Sequence, residues 1–319
     1  MLYKLLHFPA RLAFTIWCRH IKINQPAIVK IKGPVLLAAN HPNSFLDAIM
    51  LCSIFKQPIY SLARGDAFKG KLINHILRSL KMFPVYRLSE GAHNLDENYK
   101  TFDECIEVFK QNHIVLIFSE GRCINEWHLR PLKKGTARLA LSAWQQNIPL
   151  QVIPIGINYS SFTSFGKNVE LNIGSPITHQ QIEHNNAVGT QIQTFNQQLQ
   201  QQLQQLVFES KPVNKKIVQQ YFRVEISSIK KTLLVIPATL GYILHAPLYI
   251  PIQKFAFKKF GKIDHYDSVM VGLLFLTYPI YVLLITIIIA FFISGYWWLL
   301  TPFILSFCAY SFVQIKKQF

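Results

Sequence analysis

The sequence predicts an α/β domain with a mostly parallel sheet flanked by helices. An N-terminal amphipathic helix precedes it and a C-terminal transmembrane hairpin follows. Three observations carry this prediction. From about residue 29 to 177, short apolar runs alternate with helical stretches, which is the pattern of strands joined by crossover helices. The first 24 residues set Leu5, Leu6, Leu12, Phe14, Ile16 and Trp17 against Lys4, Arg11, Arg19 and Lys22. The last third is far more apolar than the rest, and its run 269–293 carries no charge and is long enough to span a bilayer.

Residues 1–24 read as a basic amphipathic helix lying in a membrane interface. A secretory signal is not expected, because Arg11 interrupts the apolar run and no small-residue cleavage site follows. Residues 25–210 form the expected catalytic domain. Its strands are 35–40 (VLLAAN), 59–64 (IYSLAR), 114–120 (IVLIFSE) and 150–157 (LQVIPIGI), each short, partly β-branched and bounded by turn signals. Helices are expected over 44–55, 68–80, 98–111 and 134–146. The glutamine-rich stretch 190–206 places Ile192, Phe195, Leu199, Leu203 and Leu206 at helical spacing, so it reads as an amphipathic helix closing the domain.

Residues 211–319 form the expected membrane domain. The runs 269–293 and 297–313 read as a transmembrane hairpin, separated by Ser294, Gly295 and Tyr296. Lysines flank it on both sides, in 254–262 and at Lys316 and Lys317, which puts both ends in the cytoplasm. Segment 232–250 contains Pro237 and Pro247 and has lysines at both ends, so a re-entrant or interfacial element is expected there. The implied localisation is an integral membrane protein with its catalytic domain on the cytoplasmic face, as in a bacterial inner membrane.

Composition narrows the partners. The chain of 319 residues has a formal net charge of +17, with 50% hydrophobic and only 15% charged residues. Nucleic acid, an anionic membrane surface or a phosphorylated substrate would each suit such a charge. No zinc-finger spacing or RNP aromatic pattern is present, so no nucleic-acid partner is expected, and the apolar tail favours the lipid bilayer. The five cysteines are scattered without metal-ligand spacing, which fits a reducing compartment and no metal.

The chemistry starts at NHPNSFLDA, residues 40–48. Taken alone, His41 and Asp47 fit two readings: a general base with its orienting carboxylate, or polar residues at a capped helix start. Three further stretches follow in order: FPVYR (83–87), FSEGR (118–122) and VIPIG (152–156). Arg64 and Asp66 also follow a predicted strand and read as a salt-bridged loop.

Together these four blocks resemble the glycerolipid acyltransferase family, which contains lysophosphatidic acid and glycerol-3-phosphate acyltransferases. The resemblance covers about residues 29–177. It implies that His41 deprotonates the acceptor hydroxyl, with Asp47 orienting it, and that this hydroxyl attacks the thioester of acyl-CoA or acyl carrier protein directly. It implies substrate-binding positions at Asn40, Arg87, Glu120, Gly121, Arg122 and Pro154: Arg87 and Arg122 on the acceptor phosphate, Glu120 and Gly121 shaping the acceptor site, Pro154 in the acyl-binding wall. Lys134, in a basic stretch, reads either as a further phosphate or CoA contact or as a solvated helix start. No cofactor is implied beyond the acyl donor, and the acceptor is a phosphorylated glycerol.

This chain departs from the family pattern in three places. Five residues rather than four separate His41 from Asp47, Ser119 stands where proline is usual, and Arg122 follows Gly121 directly. These departures bear on the acceptor. The readings to separate are therefore acylation of lysophosphatidic acid or glycerol 3-phosphate, acylation of another lipid such as an aminoacyl lipid or lysophospholipid, and a non-catalytic membrane scaffold. A hydrolase is disfavoured by the lack of a Gly-x-Ser-x-Gly elbow.

Overall fold

The computed structural model of the chain describes residues 1–86, 95–182, 187–211 and 213–318. Helix α1 (Leu2–Trp17) leads directly into strand β1 (Cys18–Ile23). The sheet continues with β2 (Val35–Ala39), β3 (Ile59–Arg64), β4 (Met82–Val85), β5 (Ile114–Phe118), β6 (Gln151–Tyr159) and β7 (Lys167–Ile173). Between them lie α2 (Phe45–Ile54), α3 (Lys71–Ser79), α4 (Leu95–Lys110) and α5 (Gly135–Gln145). Among the described residues the seven strands run in the order β1-β7-β6-β2-β5-β3-β4, with every neighbouring pair parallel except β6 and β7. The predicted fold class is thus the observed one.

Strand β2 at the sheet centre shows why the layers form. Val35, Leu37 and Ala39 point to one face and Leu36 and Ala38 to the other, and all five are almost completely buried. A strand apolar on both sides requires cover on both sides. On the first face lie α1 and α2, and on the second lie α4, α5 and α6 (Val188–Leu206), the last through Phe195, Leu199 and Leu203. Each such buried aliphatic or aromatic side chain is worth roughly 1.5–3 kcal/mol of transfer free energy.

Three elements differ from expectation. The N-terminal helix ends at Trp17, and Cys18–Ile23 is a strand, because pairing with β7 completes an otherwise open sheet edge. Arg19, expected on a basic helix face, is instead buried: its Nε donates to the Val313 and Gln314 carbonyls at 3.2 Å and its Nη2 to the Lys316 carbonyl at 2.6 Å. Strands β4 and β7 were not expected at all. Burial lowers the Arg19 pKa to about 10, which leaves it charged at neutral pH.

The C-terminal region follows α7 (Lys215–Phe222) and consists of α8 (Ser228–Phe260), α9 (Tyr266–Phe292) and α10 (Thr301–Ile315). Segment 232–250, expected as a re-entrant or interfacial element, lies inside α8, one helix of 33 residues that runs through Pro237, Pro247 and Pro251. Proline costs about 3 kcal/mol in an isolated helix interior, but α8 packs along α10, and this packing offsets the loss. Gly241 lies at the closest approach, where an added Cβ would sit 2.2 Å from the Cys308 carbonyl oxygen. Among the described residues three helices are long and apolar enough to cross a membrane: Ser228–Phe260, Tyr266–Phe292 and Trp297–Ile315. Gly241→Ala is expected to lose about 1–3 kcal/mol of stability by forcing α8 off α10, to be read as a lower midpoint of thermal unfolding in detergent micelles.

Candidate active site

The site is built at the carboxyl ends of β2 and β5, where open α/β sheets hold their ligands. Strand β2 ends at Ala39, yet its pairing with β6 does not. Asn40 Nδ2 donates to the Ile157 carbonyl at 3.1 Å, and Asn40 Oδ1 accepts from the Ile157 N–H at 2.7 Å. The side-chain amide thus replaces a peptide group in the ladder, and the main chain is free to turn. Asn40, expected to bind substrate, has both ends of its amide engaged by backbone in the structure, so it braces the turn.

His41 comes next. Its ring stacks on Phe118 at the end of β5, with centroids 3.8 Å apart and planes at 10°. Its Nδ1 lies 2.9 Å from Asp47 Oδ2. The five-residue spacing is taken up by Ser44, which has φ +53 immediately before α2, a left-handed conformation uncommon for a non-glycine residue. Asp47 is 0% exposed and fully bonded. Its Oδ2 also accepts the Asn43 N–H at 2.9 Å, and its Oδ1 accepts the Tyr159 hydroxyl at 2.8 Å. An ionised Asp47 only accepts, so the shared proton sits on His41 Nδ1 and the Nε2 lone pair faces outward. That Nε2 has no hydrogen-bond partner among the described residues, and the His41 side chain is 18% exposed. Burial first, and then the Asp47 charge, push the Tyr159 hydroxyl well above its ordinary range, so it stays a neutral donor.

Glu120 closes the turn from the other side. Its Oε2 accepts the His41 N–H at 2.6 Å and its Oε1 accepts the Arg130 N–H at 2.8 Å. Both oxygens are occupied by main chain, so Glu120 shapes the site by clamping two loops together. Gly121 has φ +65, the conformation that lets the chain reverse here. Ser119, where the family has proline, accepts the Thr136 hydroxyl of α5 at 3.0 Å. Cys123 Sγ accepts the Ser44 N–H at 2.9 Å; burial, followed by the Asp47 charge, raises its thiol, so it is not a thiolate.

The remaining expected positions divide. Arg122 is exposed on the loop beside Gly121, and Lys134 is exposed at the start of α5. Arg87 lies outside the described residues. Pro154, expected in the acyl-binding wall, is buried within β6, in register with Ala38, and shares the face of Val152 that α5 and α6 cover. Arg64 and Asp66 form the expected ion pair. Among the described residues no cluster of three or more His, Cys, Asp or Glu could hold a metal ion.

Sequence reasoning missed the contacts that the start of α9 makes with the turn after β2. Asn43 Nδ2 donates to Asp267 Oδ2 at 2.7 Å, Ser44 Oγ and His265 Nδ1 are 2.7 Å apart, and the Ser268 hydroxyl donates to the Asn43 carbonyl at 3.2 Å. Asp267 is in turn ion-paired with Lys167 of β7. The start of α9 therefore sits on the catalytic turn. The available signal was the polar run KIDHYDS (262–268) at the head of an uncharged segment.

With this geometry in view, the comparisons with known proteins can be placed. The family model for acyltransferases matches residues 20–158. The span runs from β1 to the end of β6 and holds His41, Asp47, Glu120 and Gly121. Among solved structures the chain is similar to the 1-acyl-sn-glycerophosphate (LPA) acyltransferase PlsC from Thermotoga maritima, with 15% identity, a TM-score of 0.46, and coverage of 64% of this chain and 78% of that one. No curated protein sequence matches the chain.

Burial raises the Glu120 carboxyl pKa, against the pull of the Arg130 and His41 N–H groups. A carboxyl raised by folding costs stability as it ionises, so this cost is absent below the ordinary carboxylate range and complete above the raised pKa. Glu120→Gln cannot titrate, and it leaves one of the two N–H groups without its acceptor. The variant is expected to be less stable than the parent, by a margin that narrows as pH rises through that window. Thermal unfolding across a pH series reads it, and a margin that widens with pH contradicts it.

Proposed function

We propose that the acyltransferase domain makes this protein a membrane-bound O-acyltransferase. It moves a fatty acyl group from acyl-CoA or acyl carrier protein to the hydroxyl of lysophosphatidic acid or glycerol 3-phosphate, on the route to phosphatidic acid. The observation that carries the reading is the His41–Asp47 pair, closed at 2.9 Å at a strand end within an acyltransferase-family domain.

In this reaction His41 Nε2 takes the proton of the acceptor hydroxyl as its oxygen bonds to the thioester carbonyl carbon. Collapse of the tetrahedral intermediate breaks the carbon–sulfur bond, and the departing thiolate takes the proton from the imidazolium. The products are an ester and a free thiol, and no acyl-enzyme forms. Asp47 holds the Nδ1–H tautomer and stabilises the imidazolium while it lasts. Phe118 fixes the ring plane, and Glu120 and Asn40 fix the backbone that carries it.

The setting supports a lipid substrate. Three of the described helices suit a bilayer, and the net charge of +17 suits anionic head groups. Arg122, exposed on the loop after β5, keeps its proposed role on the acceptor phosphate, a guanidinium being matched to phosphate. Arg87 and Lys134 keep their proposed phosphate roles. The intact dyad argues against a scaffold, which would need none of it.

The test is acyl transfer by the full chain in lipid nanodiscs, with palmitoyl-CoA as donor and glycerol 3-phosphate, lysophosphatidic acid or a lyso-aminolipid as acceptor. His41→Ala is expected to lower kcat by roughly 10²–10⁴-fold with little change in KM. Undiminished transfer by His41→Ala would remove the base from the mechanism. Transfer to the lyso-aminolipid alone would reassign the acceptor.

A further inference from the structure

The reaction as written leaves one buried ion pair without a role. Lys167 and Asp267 are 2% and 0% exposed, and no water reaches either. Such a pair is a weak source of stability, because desolvating both ions costs about as much as their attraction returns. Its position is what distinguishes it. Two separate bridges lead from it to Asp47. Asp267 holds Asn43 Nδ2 at 2.7 Å, and the Asn43 N–H is bonded to Asp47 Oδ2 at 2.9 Å. On the other side, Lys167 Nζ lies 5.7 Å from the centroid of the Tyr159 ring, whose hydroxyl is bonded to Asp47 Oδ1 at 2.8 Å.

We propose that Lys167 and Asp267 are positioning residues for the His41 base. Together they hold the catalytic turn against α9, and by neutralising one another they leave the charge of Asp47 to the imidazole alone. The role as an aid to acyl transfer rests on the function proposed above; the electrostatic part concerns His41 itself.

The groups around His41 define what the test must separate. Asp47 faces it from α2, Glu120 and Cys123 from the segment after β5, and Tyr159 from β6. The Glu126–Arg130 pair and exposed Arg122 lie on the same loop, and Asp264 and His265 come from the α9 approach. Lys167 and Asp267 are opposite charges that cancel within the core of this cluster, with Lys316 and Arg19 the further cations beside Lys167. Asp267→Asn keeps the shape and an acceptor for Asn43, but leaves Lys167 with Asp47 as its remaining buried anion. Lys167 then competes with the imidazole for that carboxylate, and the His41 cation is disfavoured.

The measurement is the pH dependence of His41 modification by diethyl pyrocarbonate, which reacts with neutral imidazole, followed by mass spectrometry of the peptide containing His41 in nanodisc-held full chain. In Asp267→Asn the midpoint is expected to fall by about one pH unit. In the double variant Lys167→Met and Asp267→Asn, which buries no unpaired charge, it is expected to return to the parent value. An unmoved or raised midpoint in Asp267→Asn overturns the proposal. If that variant does not elute as a monodisperse particle, the double variant decides: a parental midpoint supports the proposal and a displaced one overturns it. In the transfer assay Asp267→Asn is expected to lower kcat several-fold with KM held, and Asp267→Glu to recover part of the loss. The modification readout does not need turnover, so failure of the acceptor assignment and failure of this inference remain distinguishable.

Discussion

Asp47 is an ion placed where no water reaches it, and the architecture around it follows from that. Left unpaired, a buried carboxylate would take up a proton or unfold its surroundings. Three donors prevent this, one each from the His41 ring, the Asn43 backbone and the Tyr159 hydroxyl. They come from the turn after β2 and from β6, so the carboxylate ties the strand-to-helix turn to a strand two residues past its Asn40 brace. The imidazole acquires its tautomer from this arrangement and its plane from Phe118. Glu120 in turn holds the His41 backbone, and Asp267 holds the Asn43 side chain.

The C-terminal helices are part of that arrangement. Their exposed surfaces are strongly apolar, including Leu276, Leu283, Ile287, Phe291 and Phe292 of α9. The head of α9 is the opposite: Asp267 and Ser268 are fully buried and bonded into the Asn43 turn. Arg19 fastens the end of α10 to β1. The α/β domain and the apolar helices are therefore interlocked through hydrogen bonds at two separated places.

The sheet was legible because burial on both faces writes itself into the strands as continuous apolar runs, as in VLLAA of β2 and IVLIF of β5. β1 and β7 were not legible, since CRHIKI and KNVELNI carry charges and owe their conformation to pairing with each other. Prolines in α8 pointed toward a break, and packing against α10 overrode them. At the site, His41, Asp47 and Glu120 could be found from order and spacing. Tyr159, Lys167 and Asp267 could not: a buried hydroxyl and a buried ion pair over 100 residues of separation leave no periodic or local trace.

Asn40 carries a lesson for how such motifs are read. Its amide imitates a peptide group, donating and accepting against Ile157. Aspartate cannot donate, glutamine is too long, and serine is too short, so selection for the fold alone holds asparagine there. A descendant that lost its catalysis would keep this residue as firmly as an active one. Of the two adjacent letters in Asn-His, the first reports that the sheet is intact, and only the second bears on the proposed chemistry.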